Sequence, residues 1–210
     1  MVSTLIIVVV IALVVVAGLI ALRLAIRAPK VYKGPEVGVY ELAQLAGGRF
    51  RVANTALASL AARELIRTQR DGTLTRVAGA SEEAVDPVEA DILAMLDARP
   101  DGVMVWDVRA EVALRGSGVA GLVERLQELG LLEDEGTRLA PTRLGEAALA
   151  HYRLRHREER ILPPRPRDRT SGGEFGLFGV ALYGLSQMKD REVAGVLSLS
   201  SPPPRGPGWR

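Results

Sequence analysis

Val2 to Leu22 reads VSTLIIVVVIALVVVAGLIAL, 21 residues without one charged side chain. Nothing else in the 210-residue chain limits its fold so tightly. As a helix this run spans about 31 Å, which matches a bilayer hydrocarbon core of about 30 Å. Its Leu, Ile and Val side chains each favour insertion by about 0.3–0.6 kcal/mol near the bilayer centre. The run predicts a transmembrane helix over 2–22. No Lys or Arg precedes it, whereas Arg23, Arg27, Lys30 and Lys33 follow it. The positive-inside rule then places the N-terminus outside and the C-terminal domain in the cytoplasm, as in a single-pass cell-membrane protein. A cleaved signal peptide would have a basic start, a shorter apolar core and small residues at its exit, where Arg23 and Arg27 stand.

Charge is segregated along the rest of the chain. Residues 1–35 carry four bases and no acids, residues 36–160 carry 16 Lys/Arg against 21 Asp/Glu, and residues 161–210 carry seven bases against four acids. The net charge of +2 therefore arises at the two ends, around an acidic middle that disfavours general polyanion binding. The absence of Cys excludes disulfides, thiolate metal sites and Cys nucleophiles. The two histidines, His151 and His156, lie five apart in one basic stretch, a spacing that does not align them on one helix face. They read as solvated helix residues.

After a basic juxtamembrane connector over 23–38, the pattern becomes helical. Tyr40, Leu42, Ala43 and Leu45 make a short apolar face that ends at Gly47-Gly48. Val52, Ala56 and Leu60, with Ala53, Leu57 and Ala61, form the next stripe. Asp71-Gly72 between β-branched residues signals a tight two-residue hairpin turn. This first unit covers 39–80. A second unit over 81–160 opens on Asp86 as N-cap, Pro87 at the first helical position and Glu89 at the capping-box position. Ser117 is a candidate cap for its next helix, and strands flank Glu135-Gly136. At an offset of 66 residues, Leu60, Leu65 and Ile66 align with Leu126, Leu131 and Leu132. The fold class expected is mainly α with small β-hairpins: an N-terminal transmembrane helix plus tandem units that resemble winged-helix domains. Each unit is small, so the two are expected to share a core.

The double glycine invites a phosphate-cradle reading. A P-loop needs a preceding strand, a lysine for the phosphate charge and a hydroxyl for Mg²⁺. Here a helical pattern precedes, and Arg49, Phe50 and Arg51 follow. Gly47 and Gly48, like Asp71 and Gly72, read as structural turns. The acidic clusters EEAVD and EDE lie in linker and hairpin positions without the apolar surroundings that paired catalytic carboxylates need. Ser117 lacks the nucleophile-elbow pattern. No catalytic residue, cofactor site or metal site is expected, and the chain is not expected to be an enzyme.

A winged-helix reading raises DNA binding as the alternative. In the second unit the would-be recognition helix carries Glu124, Arg125 and Glu128, and its hairpin adds Glu133, Asp134 and Glu135, which repel phosphate. The first unit offers Arg49, Arg51, Asn54 and Arg63 as nucleic-acid contacts, or as a solvated helix face. No dimerisation coil is visible to supply two half-sites.

The C-terminal part begins with a Pro/Arg linker over 161–173. A short apolar helical segment follows over 174–199, whose uncharged run Phe175–Met188 is 14 residues, too short to span a bilayer. Asp190 is a candidate cap within it. The tail 200–210 has the Pro-rich composition of a disordered end.

YELAQLAGG, ALASLAARELIR, DPVEADIL and LYGLSQMKDREVAGVL together resemble a family of uncharacterised, mostly actinobacterial membrane proteins recognised by an "ELA-LAGG" segment. The resemblance spans roughly Val37 to Leu197, and this chain departs from it in having a short Pro-rich C-terminus. It implies membrane placement and a fold, and it carries over no activity, cofactor or catalytic residue. The expected role is a protein–protein interaction or scaffold module with an unknown protein partner, held to the lipid bilayer through residues 2–22. A membrane-tethered DNA-binding transcriptional regulator is the alternative.

Overall fold

A computed structural model of the chain describes residues 32–78, 86–136, 138–161 and 172–199. The chain divides into Met1–Tyr32 and Lys33–Arg210, and every element below belongs to the second part. The membrane helix expected over 2–22, the connector up to residue 31 and the tail 200–210 lie outside the described residues. Among the described residues no helix is long and apolar enough to cross a membrane. The described fold is mainly α with small antiparallel sheets, as the periodicity predicts.

Helix α1 spans Val39–Ala62 and is broken at Gly48, whose φ of 70° and ψ of −169° only glycine adopts without strain. From Val52 to Leu60 nearly every residue is buried, so the stripe expected on one side is covered all round. After α1 come β1 (Ile66–Thr68) and β2 (Thr73–Arg76), paired antiparallel with Thr68 opposite Leu74. Gln69 N–H bonds the Thr73 carbonyl at 2.8 Å and Gly72 N–H bonds the Gln69 carbonyl at 3.0 Å. The turn therefore holds three residues, Arg70, Asp71 and Gly72, and not the two expected. Gly72, at φ 92°, takes the left-handed position that closes such a loop. A Cβ there would meet Leu199 at 3.1 Å and Trp106 at 3.2 Å.

Helix α2 (Pro87–Asp97) starts as expected, with the Asp86 side chain accepting from Val88 N–H at 2.9 Å. Strand β3 (Val103–Met104) then pairs with β2, Leu74 opposite Val103, giving a sheet in the order β1-β2-β3. This strand lies inside the 81–160 span, so the two spans share one sheet. Helices α3 (Val105–Arg115) and α4 (Ser117–Glu128) follow. Ser117 does not cap α4; Asp91 of α2 does, taking the Ser117 hydroxyl at 2.9 Å and Gly118 N–H at 2.8 Å. Strands β4 (Leu132–Asp134) and β5 (Leu139–Pro141) form a second hairpin.

The offset of 66 has a structural basis. Both α1 and α4 stop in a Schellman motif, with Leu65 N–H on the Leu60 carbonyl and Leu131 N–H on the Leu126 carbonyl, each at 2.9 Å. The left-handed residue is Glu64 in one copy and Gly130 in the other. Leu60, Leu65 and Ile66, like Leu126, Leu131 and Leu132, are all buried. In each copy the apolar pair across the stop leads directly into the hairpin's first strand.

Helix α5 (Arg143–Ile161) closes the second half and α6 (Gly172–Tyr183) begins the C-terminal part, so both helices reach into the 161–173 span read as linker. A short 3₁₀ turn (Leu185–Gln187) and α7 (Arg191–Leu197) complete the fold. Asp190 caps α7 as expected, accepting from Glu192 and Val193 N–H at 3.0 Å each. Helix α6 runs antiparallel along the second half of α1, with Ala181 near Arg51 and Gly176, Leu177 and Val180 near Ala58, Ala61 and Ala62. Val180, Ala181 and Leu182 are buried, and a fully buried Val or Leu contributes about 1.5–3 kcal/mol. His156 is 7% exposed and not solvated as expected, because α6 folds against α5 and brings the Tyr183 ring to 5.7 Å from it. One turn earlier Tyr152 stacks on Phe178 at 6.4 Å.

Candidate functional site

The break at Gly48 folds α1 back on itself. Tyr40 and Arg63 are 23 residues apart, about 35 Å along a straight helix. Both bind the same carboxylate: Tyr40 Oη donates to Glu89 Oε1 at 2.5 Å and Arg63 Nη1 to Glu89 Oε2 at 2.8 Å. Glu89, expected at a capping-box position, is instead 2% exposed and ties both arms of α1 to α2. A buried carboxylate needs such partners, because desolvating an unpaired charge costs several kcal/mol (about 3–5 when one partner of a buried pair is lost). Ser59 also hydrogen-bonds the Tyr40 hydroxyl. Burial, and then the charge of Glu89, push the Tyr40 phenol well above its ordinary range. The whole group thus ties both arms of α1 to α2.

The four residues that could touch nucleic acid are not presented together. Arg63 is committed to Glu89. Arg51 is half-buried and turns under α6, its Nη1 donating to the Ala181 carbonyl at 3.4 Å near that helix's C-terminal end. Burial, and then the charge of Arg153, lower the Arg51 pKa. Asn54 lies one turn further along α1, and its Oδ1 is buried without a hydrogen-bond partner. Arg49 is half-exposed.

Gly47 has its own reason to be glycine. A Cβ there would sit 3.0 Å from Arg51 Nε, so the Arg51 side chain lies across Gly47. On its other side the guanidinium rests on Gly184, at φ 98°, where a Cβ would come within 3.5–3.7 Å. The glycine pair thus serves two tasks, the fold of the backbone at 48 and the path of a side chain at 47.

A second arginine, Arg109 of α3, does for α7 what Arg51 does for α6: its Nη2 donates to the Leu197 carbonyl at the helix end. Burial lowers the pKa of Arg109, and its Nε is buried without a partner. Arg70 of the first hairpin adds a surface ion pair to Glu192 at 3.1 Å. Neither helix-end contact was read from the sequence, since no spacing rule links residue 51 to 181 or 109 to 197.

The second half presents its charges outward. Glu124, Glu128, Glu133 and Asp134 are exposed on α4 and β4. The nearby cations are already paired, Arg125 with Glu41 at 3.4 Å and Arg138 with Glu135 at 2.7 Å. Among the described residues no group of three His, Asp or Glu could hold a metal ion. A groove of about 280 Å³ between α1, α6 and the start of α7 is lined mainly by Ala, Gly, Leu and Val side chains. Its charged lining residues are Glu64, Lys189 and Asp190, and Asp190 is engaged in capping α7. Compared with protein-family models, with curated proteins and with solved structures, the chain matches none.

Proposed function

We infer that the chain is a single-pass membrane protein whose tandem winged-helix-like domain faces the cytoplasm and makes protein–protein contacts. The membrane part rests on the uncharged run 2–22 and the bases that follow it. The likeness to winged-helix units rests on the helix–helix–hairpin succession that recurs at an offset of 66, and on the third strand beside the first hairpin. One observation carries the choice of protein over DNA: α6 covers the second half of α1. In the arginine-rich half, the helix that would enter a DNA groove is buried among Val52 to Leu60. In the other half the equivalent helix is exposed but acidic, and phosphate contacts supply much of nucleic-acid affinity. The likeness to the "ELA-LAGG" membrane proteins agrees with this placement and names no partner.

Crosslinking and pull-down of the full-length protein from membranes tests the reading, with recovery of a specific protein partner expected. Gel shifts with the full-length chain in detergent should give no complex. A complex that weakens steeply with salt and with Arg49→Ala would replace this reading with the DNA-binding one. Protease protection in vesicles tests orientation, and digestion of the domain from the extracellular side alone would reverse it.

A further inference from the structure

The chain enters its folded part beside helix α5. Val37, 3% exposed, donates its N–H to the Tyr152 hydroxyl at 3.0 Å, which fastens the lead-in to the middle of that helix. Fourteen residues, 23–36, separate the uncharged run from Val37, and even fully extended they reach about 50 Å. They carry Arg23, Arg27, Lys30 and Lys33 against the single acid Glu36. Around Tyr152, α5 has two unlike sides. Tyr152 and His156 are buried against the rings of Phe178 and Tyr183 in α6. Ala150, Arg153, Leu154 and Arg157 stand at i, i+3, i+4 and i+7, the spacing of one helix face, and all four are exposed. Neither Arg153 nor Arg157 forms an ion pair with a described residue. The acids bordering this face are Glu146, one turn before Ala150, and Glu158 beside Arg157.

We propose that this outer face of α5, through Arg153, Leu154 and Arg157, docks on an anionic lipid surface. Guanidinium forks match lipid phosphates, and each Arg held near an anionic leaflet adds an attraction that salt screens. Leu154 supplies the apolar contact that a surface-lying helix buries at the headgroup boundary. Two arginines alone would hold a free domain weakly. Because docking relies on the anchor proposed above, the short covalent lead-in raises their effective concentration at the surface to about the millimolar range. Charge elsewhere on the domain agrees with this orientation. Glu124, Glu128, Glu133 and Asp134 are exposed on α4 and β4, where an anionic surface repels them, and docking by α5 leaves that acidic face free for a protein partner.

The chain has no Cys, so a bimane attached at Ala150→Cys is the only label on the molecule. The full-length labelled protein is reconstituted into phosphatidylcholine bilayers and into bilayers with about 30% phosphatidylglycerol, each containing a headgroup-nitroxide lipid as quencher. Quenching at least about threefold greater in the anionic bilayers is expected, falling to the neutral-lipid level at about 0.5 M salt. Changing Arg153→Gln and Arg157→Gln together, both at exposed positions, should lower the docked-to-undocked ratio by about tenfold or more. A label at Leu114→Cys, exposed on α3, should show no dependence on lipid charge. Equal quenching in the two bilayers overturns the docking, as does quenching that survives the double substitution or appears equally at Leu114→Cys. Alkaline carbonate extraction reads the anchor separately. A chain that resists extraction without lipid-dependent quenching keeps its anchor and loses the docking. One that is extracted but still binds phosphatidylglycerol vesicles through Arg153 and Arg157 keeps the docking and loses the anchor, and one that does neither loses both.

Discussion

Glu64 and Gly130 occupy the same place in two copies of one helix stop, 66 residues apart, with φ of 56° and 67°. Glycine takes this left-handed conformation freely, whereas an L side chain pays about 1–2 kcal/mol. Glu64→Gly should therefore stabilise the protein by about 1 kcal/mol, raising its melting temperature by about 2–4 °C. Gly130→Ala should do the reverse by a similar amount. Thermal unfolding of both variants checks this; a destabilised Glu64→Gly would mean that Glu64 makes a compensating contact.

Removing the two ends of the Arg63–Glu89 pair should not cost the same. Side-chain exposure is 35% for Arg63 and 3% for Glu89. Arg63→Ala leaves a buried carboxylate held only by Tyr40, and should cost about 3 kcal/mol. Glu89→Gln leaves a guanidinium that can turn to water, and should cost less. The double variant should be more stable than Arg63→Ala alone, because it no longer buries an unpaired charge. Urea denaturation of the three variants decides this, and equal losses for both single variants would contradict the asymmetry.

The raised pKa of Tyr40 makes stability fall in alkali. The folded protein keeps this phenol protonated while the unfolded chain releases its proton near pH 10. Native molecules then bind more protons than unfolded ones, so stability declines by about 1.4 kcal/mol per pH unit above about pH 10. Tyr40→Phe should lack this decline, at the cost of its hydrogen bond to Glu89. Denaturant midpoints from pH 9 to 11.5 would reveal the difference in slope.

Asp86 works against its own burial. Desolvation raises its carboxyl pKa, the Val88 N–H bond opposes the rise, and the charges of Glu89 and Glu41 add to it. A raised carboxyl pKa means that stability falls as pH climbs from about 4 through the folded value, then levels. Asn caps a helix as well as Asp and carries no charge. Asp86→Asn should equal or exceed the native stability at pH 7 and lack the fall, whereas Asp86→Ala should lose about 1 kcal/mol. Equal destabilisation by Asn and Ala would show that the charge itself is needed.

Local rules made parts of this molecule legible in sequence. The caps at Asp86 and Asp190 follow from side-chain chemistry within three residues of a helix start. The match of Leu60, Leu65 and Ile66 to Leu126, Leu131 and Leu132 is a helix stop written twice, visible because the motif demands apolar residues at fixed spacing. What stayed hidden depends on distant partners. Glu89 has the spacing of a capping box, but two side chains 49 and 26 residues away draw it inside. The two stripes of α1, Val52/Ala56/Leu60 and Ala53/Leu57/Ala61, together cover a wide arc. That breadth was a sign of cover on two sides, although nothing local identified α6 as the cover. Two residues of β3 are too short to leave an alternation pattern.

The pairing of β3 with β2 also bears on how this chain behaves as a material. The strand that edges the first sheet is contributed from beyond residue 80, so the two halves are braided and cannot be separated like beads. A chain cut after residue 80 would leave Thr73 and Leu74 with a raw edge facing solvent, ready to recruit a strand from a neighbouring molecule. The shared sheet ties the two halves into one body, and mechanical or proteolytic insult to either half is felt by both.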